Sequence, residues 1–527
     1  MFRILVADPL DAIGIAMLGQ SGAEVHELQE DERPRLPELI ADFDALVVRS
    51  ATKVTADLLR AGKRLKVVGR AGIGVDNVDV ATATELGILV VNAPTANVLS
   101  ATEHTFALML ALARKLPAAD ASIKAGVWDR KSFVGCELQG KTLGIVGFGR
   151  IGQRVAARAR AFEMKVLAFD PFLDASVARR EEVEPVSLEE VLRRADVVTL
   201  HTPLTAETRN LINAERLALM KPGALLINCG RGGVVDEDAL LRALDSGHLA
   251  GAALDVYEQE PLQDFVLARH PKVVATPHIG AQTREAQERI ATETARMVAM
   301  ALEGSLAITA VNLPFRPAGP KGTPFLHLGE QLGKLAASLL GGSLSRLQVD
   351  FWGVEDGLQT PVTVAVLKGA LTPSMGTGVN YVNAERVAES RGIAVVHSAH
   401  RQPSVYAQLV AVKVEGANGT LDLAGTIFGE GDIRVVRFRG FPLEFRPEGT
   451  LMVMRNLDVP GVIGELGRHL GAAEINIADI HLAREPGKRE AVAALHLDRQ
   501  PAAAVVEALR AMSQVLEVRV VDLGRMA

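Results

Sequence analysis

The segment Gly147-Phe148-Gly149-Arg150-Ile151-Gly152 constrains this chain more than any other. It follows an apolar run, residues 143–146, that reads as a buried strand, and it opens a helical stretch that continues to Arg160. A second strand, residues 165–169, then ends in Asp170. Strand, Gly-x-Gly-x-x-Gly, helix, strand and acid, in that order, are the parts of a dinucleotide-binding turn. Gly147 permits the tight turn, Gly149 has no side chain to block a pyrophosphate, and Gly152 lets helix and strand pack closely. The helix N-terminus presents free N–H groups and the positive end of a dipole to phosphates. Asp170 can accept hydrogen bonds from both ribose hydroxyls and would repel a 2′-phosphate, so NAD is expected rather than NADP.

The fingerprint does not come first. Residues 3–7, 45–48, 65–68 and 88–91 read as strands of an earlier parallel sheet with helices between them. A long apolar helix, residues 98–115, leads into the fingerprint, and a helical pattern at 285–302 leads back to the first unit. The expected fold is therefore α/β, with two doubly wound units: residues 1–95 plus 282–312 as a substrate-binding domain, and 96–281 as the inserted nucleotide-binding domain. A ligand cleft is expected between them. Pro314, Pro317, Gly319, Pro320, Gly322 and Pro324 read as a linker. Residues 325–447 form a mixed α/β region. From 449 to 527 the pattern is strand 451–457, helix 461–470, strand 475–483, a turn at Pro486-Gly487, strand 490–497, helix 502–512 and strand 516–521, the ferredoxin-like βαββαβ order.

At 527 residues and 48% hydrophobic, the chain can build several cores, and a net charge of −6 without a long basic run argues against nucleic acid as the main partner. Two distant cysteines, Cys136 and Cys229, make neither a disulfide framework nor a metal site by spacing, and suit a reducing cytoplasm. The first residues, with Arg3 inside the apolar run and Asp8 after it, read as a strand rather than a targeting peptide. No apolar stretch reaches the ~20 residues that span a bilayer.

Three polar residues stand just past apolar runs or in the adjoining loops: Arg231, Glu260 and His278. In open parallel sheets such positions face the cofactor crevice. Together they suit oxidation of a 2-hydroxy acid. A guanidinium grips a carboxylate through two parallel hydrogen bonds. An imidazole can take the hydroxyl proton, and a carboxylate on its other nitrogen fixes the tautomer. Taken singly, each has a plainer reading: a surface ion pair for Arg231, a loop acid for Glu260 and a satisfied core histidine for His278.

The segments 146–152, His201-Thr202-Pro203-Leu204-Thr205, Asn228-Cys229-Gly230-Arg231-Gly232-Gly233 and Thr276-Pro277-His278-Ile279-Gly280-Ala281 resemble the D-isomer-specific 2-hydroxyacid dehydrogenases over residues 1–312. The resemblance implies two Rossmann-like domains, Arg231 binding the carboxylate, His278 as base and Glu260 tuning it. It implies NAD contacts from Gly147, Gly149, Arg150, Ile151, Gly152, Asp170, His201, Thr202, Pro203, Thr208, Cys229, Gly230, Arg231, Asp255, His278, Gly280 and Ile73. Within the family, residues 69–79, with 48–54 and 95–100, resemble the branch that oxidises 3-phospho-D-glycerate with NAD to 3-phosphooxypyruvate, the first step of serine synthesis. That branch often has threonine where Ile73 stands. Substrate contacts are implied for Arg49, Ser50, Gly72, Ile73, Gly74, Asn97 and Lys131, with Lys53 and Arg130 as further cations for the phosphate. Residues 325–447 resemble that branch's intervening domain, where Lys368, Arg434, Arg437 and Arg439 are candidates for an allosteric anion. Asp458-Val459-Pro460-Gly461-Val462 and Ile475-Asn476-Ile477 resemble an ACT domain, with Asp458 and Asn476 holding L-serine as feedback inhibitor. Asn456 stands where relatives have His or Tyr. A purely structural pairing domain is the plainer reading. A cytoplasmic homotetramer is implied, a dimer being the alternative, and no metal. Two other readings stay open: a dehydrogenase of 2-oxoglutarate, hydroxypyruvate or glyoxylate, and an NAD-sensing binding protein like the related corepressors.

Overall fold

The computed structural model describes residues 1–304, 306, 309–317, 319–401, 404–429, 431–484 and 489–524. Among these the strands form four sheets. The first has the order Glu24–Glu27, Arg3–Val6, Ala45–Val48, Val67–Arg70, Leu89–Asn92 and is parallel throughout. Its middle strand, Ala45–Val48, is apolar along its whole length because helices cover both faces. Glu24–Glu27 has no strand signature in the sequence: it is an edge strand with half of its residues exposed, so charge is tolerated there. Helix Arg284–Leu302 lays Ala295, Val298 and Leu302 against Ile4, Val6 and Val67, so the chain returns to the first sheet after the second is complete.

The second sheet runs Val273–Ala275, Gly251–Leu254, Leu225–Asn228, Val197–Leu200, Thr142–Val146, Lys165–Phe169, Glu184–Pro185, also parallel. Chain order reverses between Thr142–Val146 and Val197–Leu200, which opens a crevice at the strands' carboxyl ends. Helix Val98–Ala113 buries Phe106, Met109 and Leu112 in this second core. It stops at Arg114, and Lys115 takes a left-handed backbone before a separate helix, Leu116–Lys124.

The expected linker is shorter than its composition suggests. Gly319–Leu340 is one helix, so Gly319, Pro320, Gly322 and Pro324 lie within it. The first turn accepts Pro320 because its N–H groups have no intrahelical acceptor, whereas Pro324 lies inside the helix. This helix packs along Asp356–Met375 over a six-stranded sheet of order Ala394–His400, Leu344–Trp352, Leu409–Gly416, Gly419–Phe428, Asp432–Phe438, Phe441–Phe445. The last sheet, Ile477–Arg484, Glu490–Leu497, Thr450–Leu457, Val515–Asp522, is antiparallel, with helices Val462–Ala472 and Ala503–Arg510 on one face. The turn at Pro486-Gly487 lies outside the described residues. The other face is not free: Leu451, Val453, Val492 and Ala494 share one core with Leu443 and Phe445 of the six-stranded sheet. No helix among the described residues is long and apolar enough to cross a membrane.

The helix pair of the third unit owes its closeness to glycine. A β-carbon on Gly369 would collide with the Glu330 carbonyl, and one on Gly333 with that of Val366. Helix propensity alone would make Gly369→Ala stabilising by about 1 kcal/mol. The collision reverses that sign, since overpacking costs about 1–3 kcal/mol. The expected outcome is a lower thermal unfolding midpoint for Gly369→Ala than for the parent; a higher one would show that the helices can part freely.

Candidate active site

The glycine turn has the form that a dinucleotide requires. Gly147 sits at φ 92°, and a β-carbon there would lie 2.7 Å from the His201 carbonyl. One on Gly152 would collide with the Gly147 carbonyl, whereas one on Gly149 would meet nothing within 4 Å. Gly149 therefore faces open space on the crevice side, where a side chain would obstruct only a ligand. Helix Arg150–Ala161 starts there without a side-chain cap. Asp170 accepts from the N–H of Phe148 (2.8 Å) and of Phe172 (2.9 Å), which ties the second strand's end to the turn. Beside the turn, His201 Nδ1 and Thr202 Oγ1 are buried without a partner. Burial pushes the His201 pKa down to about 4, so the ring is neutral and offers one donor and one acceptor. Orphaned buried polar atoms around an open glycine fit a bound NAD. Arg150 reaches the Pro94 carbonyl (3.4 Å) across the crevice.

The side chains of two expected cofactor contacts, Cys229 and Thr208, are engaged within the protein. The Cys229 thiol is packed in the second core and burial pushes its pKa up to about 12, so only its backbone can face the crevice. Thr208 donates to the Pro203 carbonyl (2.6 Å) and shapes that loop.

The three chemical residues converge on the neighbouring strand ends. Asn228, at the end of Leu225–Asn228, donates to the Arg231 carbonyl (3.0 Å) and accepts from the Gly230 N–H (3.0 Å), which folds the loop back on itself. Gly232 touches the Tyr257 carbonyl so closely that no β-carbon fits, which presses this loop against the one that carries Glu260. Glu260 accepts from the Tyr257 N–H (3.0 Å) and, through Oε2, from His278 Nδ1 (2.6 Å). A proton on Nδ1 leaves the Nε2 lone pair free. His278 has φ 53°, a backbone that a residue with a side chain adopts at about 1–3 kcal/mol. Asp255 holds it there: Asp255 accepts from Thr276 Oγ1 (2.7 Å), Ile279 N–H (2.8 Å) and Gly280 N–H (2.8 Å), and lies 3.2 Å from His104 Nε2. Burial favours its neutral form, but the hydrogen bonds from His104, Thr276 and Ile279 outweigh this and keep the carboxyl below its usual range.

Arg231 joins the two sheets. Its Nε donates to Asp76 (3.1 Å), Nη1 to the Gly230 carbonyl (2.8 Å), and Nη2 lies against Gly74 with no room for a β-carbon. Gly72 and Gly74 thus frame the guanidinium groups. Arg70, at the end of Val67–Arg70, touches Gly72, and its buried Nε has no partner. Burial and then the nearby charge of Arg231 lower its pKa to about 10, which leaves it charged at neutral pH. Arg49 adds a further positive charge to this group. Asp8 fixes the Arg49 loop by accepting from the N–H groups of Arg49 (2.6 Å) and Thr52 (3.1 Å). Asn97 stands at the N-cap position of helix Val98–Ala113 without a cap bond, its Oδ1 buried and unpartnered. Ser50, Lys53, Arg130 and Lys131 are exposed, and among the described residues no ion pair involves them. Three residues lacked an assigned role in the sequence: Arg70, Asp255 as a loop anchor and His104. Arg70 could have been found, since an arginine that ends an apolar parallel strand must lie at the crevice.

The basic candidates of the third unit are mostly paired. Lys368 binds Glu330 (2.6 Å), Arg434 binds Asp432 (2.8 Å) and Arg439 binds Glu517 (3.1 Å), so they form no free basic surface. In the last unit, Asp458 pairs with Arg484 (3.0 Å), the Asn476 N–H donates to Asp498 (3.1 Å), and Asn456 is buried.

Residues 106–280 match the NAD-binding domain of the D-isomer-specific 2-hydroxyacid dehydrogenases, and residues 321–439 the D-3-phosphoglycerate dehydrogenase intervening domain. The chain is 42% identical to D-3-phosphoglycerate dehydrogenase of Bacillus subtilis, over 99% of this chain and 100% of that one. It is 41% identical to the chloroplastic D-3-phosphoglycerate dehydrogenase 2 of Arabidopsis thaliana, over 98% and 86%. The crystal structure of a D-lactate dehydrogenase from Aquifex aeolicus, complexed with NAD and lactic acid, superposes with a TM-score of 0.54 at 31% identity, over 59% of this chain and 98% of that one. The chain belongs to the D-3-phosphoglycerate dehydrogenase family of NAD-dependent oxidoreductases.

Proposed function

We propose that the crevice oxidises 3-phospho-D-glycerate at C2, as the names of the relatives suggest. The observation that carries the substrate reading is the cluster of Arg231, Arg70 and Arg49, with one guanidinium buried and incompletely paired. Like charges brought together away from water are unfavourable unless an anion joins them. A substrate with a carboxylate at one end and a phosphate at the other supplies two. Arg231 would hold the carboxylate, and Arg70 with Arg49 the phosphate. His278 Nε2 would take the C2 hydroxyl proton, and Glu260 would stabilise the imidazolium. Bound NAD supplies the acceptor for the hydride that leaves C2. The product is 3-phosphooxypyruvate. Unphosphorylated 2-hydroxy acids would leave Arg70 without its counter-charge; the distal carboxylate of a 2-oxoglutarate-type substrate would replace it in part.

This reading divides the chain into residues 1–95 with 282–312 for substrate, 96–281 for NAD, 325–447 as an intervening domain and 449–527 as an ACT domain. L-serine is the proposed regulator, bound near Asp458 and Asn476. Helix Val462–Ala472 supports it, because it starts at Gly461 without a side-chain cap. A cytoplasmic homotetramer is proposed, in which a second subunit brings Lys131 to the substrate. Its support is the exposed apolar run Leu116, Ile123, Val127, Trp128 (82% exposed) and Val134 on a helix and loop that bury little.

Adding 3-phospho-D-glycerate and NAD at alkaline pH, with a hydrazine trap, should give NADH. His278→Asn should lower kcat by about 10²–10⁴-fold with NAD binding retained; normal turnover in this variant would remove His278 as the base. Arg70→Leu should raise KM for the phosphorylated substrate by about 10–100-fold, as expected for one charged hydrogen bond, and leave unphosphorylated D-glycerate nearly unaffected. An equal loss on both would place Arg70 away from the phosphate. L-serine should inhibit the parent, and Asp458→Ala should need at least about tenfold more serine, since the charged contact is lost; identical inhibition curves would exclude Asp458 from the regulatory site.

A further inference from the structure

The seam between the six-stranded and the four-stranded sheet holds a side-chain group that the dehydrogenase reading leaves unused. Asp479 and His481 are two residues apart on Ile477–Arg484, so they project from the same face of the strand. The register pairs Asp479 with His496 on Glu490–Leu497 and puts His481 opposite Ala494. This is the face that contributes Ala483, Val492 and Ala494 to the core shared with the six-stranded sheet. The Asp479 carboxylate and one ring nitrogen from each histidine lie within 4.8 Å of one another.

The proton inventory shows which nitrogens are available. His496 Nε2 lies 2.8 Å from the Arg446 carbonyl, which can only accept. The proton is therefore on Nε2, and Nδ1 carries a lone pair. That Nδ1 is buried and has no hydrogen-bond partner among the described residues. A buried bare nitrogen is costly unless something binds it. Its Nε2–H···O=C bond is the outer contact that ordinarily orients a ligating histidine. His481 Nε2 lies 2.8 Å from Asp479 Oδ2, so a second imidazole and a carboxylate already face each other. Two guanidinium groups lie nearby, Arg434 on strand Asp432–Phe438 and Arg446 just past strand Phe441–Phe445, and each is engaged by carboxylates: Asp432 and Glu444 for the first, Asp432 and Glu448 for the second. Neither arginine therefore presents a free positive charge to a cation.

We propose that Asp479, His481 and His496 bind a divalent transition metal of the zinc class. Two imidazoles and one carboxylate suit zinc and its first-row neighbours, whereas calcium and magnesium prefer oxygen donors throughout. Small side-chain rotations bring the three atoms to the separation of about 3.4 Å that tetrahedral bonds of ~2.1 Å require. Three protein ligands leave a fourth position for water or for the carboxylate of a small ligand. The metal would tie the edge strand of the last sheet to its neighbour and, through His496 and the Arg446 carbonyl, to the end of strand Phe441–Phe445.

The test uses the full chain, stripped with a chelator and titrated with Zn²⁺ by calorimetry and with Co²⁺ by visible absorption. The expected result is a site in the parent that is lost in His496→Gln and weakened at least tenfold in His481→Asn, with circular dichroism unchanged. His481 is partly exposed, so His481→Asn decides the matter if His496→Gln does not fold. Equal stoichiometry and affinity in the parent and in His481→Asn would overturn the proposal, as would the absence of binding by the parent.

Discussion

A carboxylate that is 1% exposed governs the geometry of the crevice. Asp255 follows strand Gly251–Leu254, and its two oxygens take donors from Thr276, Ile279 and Gly280 with His104 alongside. Without these bonds a carboxylate could not stay charged in that position. With them, the loop that carries His278 has one conformation, including a left-handed residue that would otherwise relax. Ser100 donates to the Gly280 carbonyl (2.8 Å), so the same loop is fastened to helix Val98–Ala113. The imidazole then meets Glu260 because both loops are fixed to the one sheet, and not through any attraction of its own.

Electrostatics complements this frame. The first sheet delivers Arg49 and Arg70 from the ends of adjacent strands, and the second delivers Arg231 from the facing side. Neither sheet alone builds an anion site. Asp8 and Asp76 offset part of the charge, but Asp8 is committed to the backbone of residues 49 and 52, and Asp76 to Arg231. Positive charges brought together away from bulk water act on an anion more strongly than the same charges would in water.

Much of this was legible in the sequence, and the reasons differ by element. The nucleotide turn could be read because its glycines serve backbone geometry, which depends on local sequence. The convergence of Arg231, Glu260 and His278 could be read because parallel sheets bring the residues past their strand ends together. Strand Glu24–Glu27 could not: at a sheet edge the hydrophobic pattern that marks a strand is relaxed. The helix Gly319–Leu340 was hidden by its prolines and glycines, which look like a linker, although Pro320 sits in its first turn and Gly329 and Gly333 at the contact with Asp356–Met375. The pairing of Lys368 with Glu330 and of Arg434 with Asp432 is a property of tertiary placement, since a charge's partner is not encoded by its neighbours in sequence. Arg70 shows the opposite case: its position was readable, but its burial, which gives it meaning, was not.

The C-terminal units are mechanically continuous with the crevice. The last sheet shares a core with the six-stranded one, so it cannot rotate without repacking Leu451, Val453 and Phe445. The six-stranded unit in turn docks on the first sheet's helices: Asn380 donates to the Gly87 carbonyl (2.7 Å) and Arg386 to the Ala81 carbonyl (3.2 Å). Gly87 sits at φ 72°, with Asn383 and Asn380 against the place where a β-carbon would be. Residues 81–87 lie between strand Val67–Arg70, which ends in the half-buried arginine, and strand Leu89–Asn92. Asn92 donates to the Ile73 carbonyl (2.6 Å), in the loop that frames Arg231. Packed and hydrogen-bonded contacts thus lead from the last sheet to the loop that frames Arg231. A ligand on the last sheet changes affinity or rate only to the extent that it binds one arrangement of these contacts better than another. The polar contacts at Ala81 and Gly87 are hydrogen bonds through which the six-stranded unit meets the unit of the first sheet.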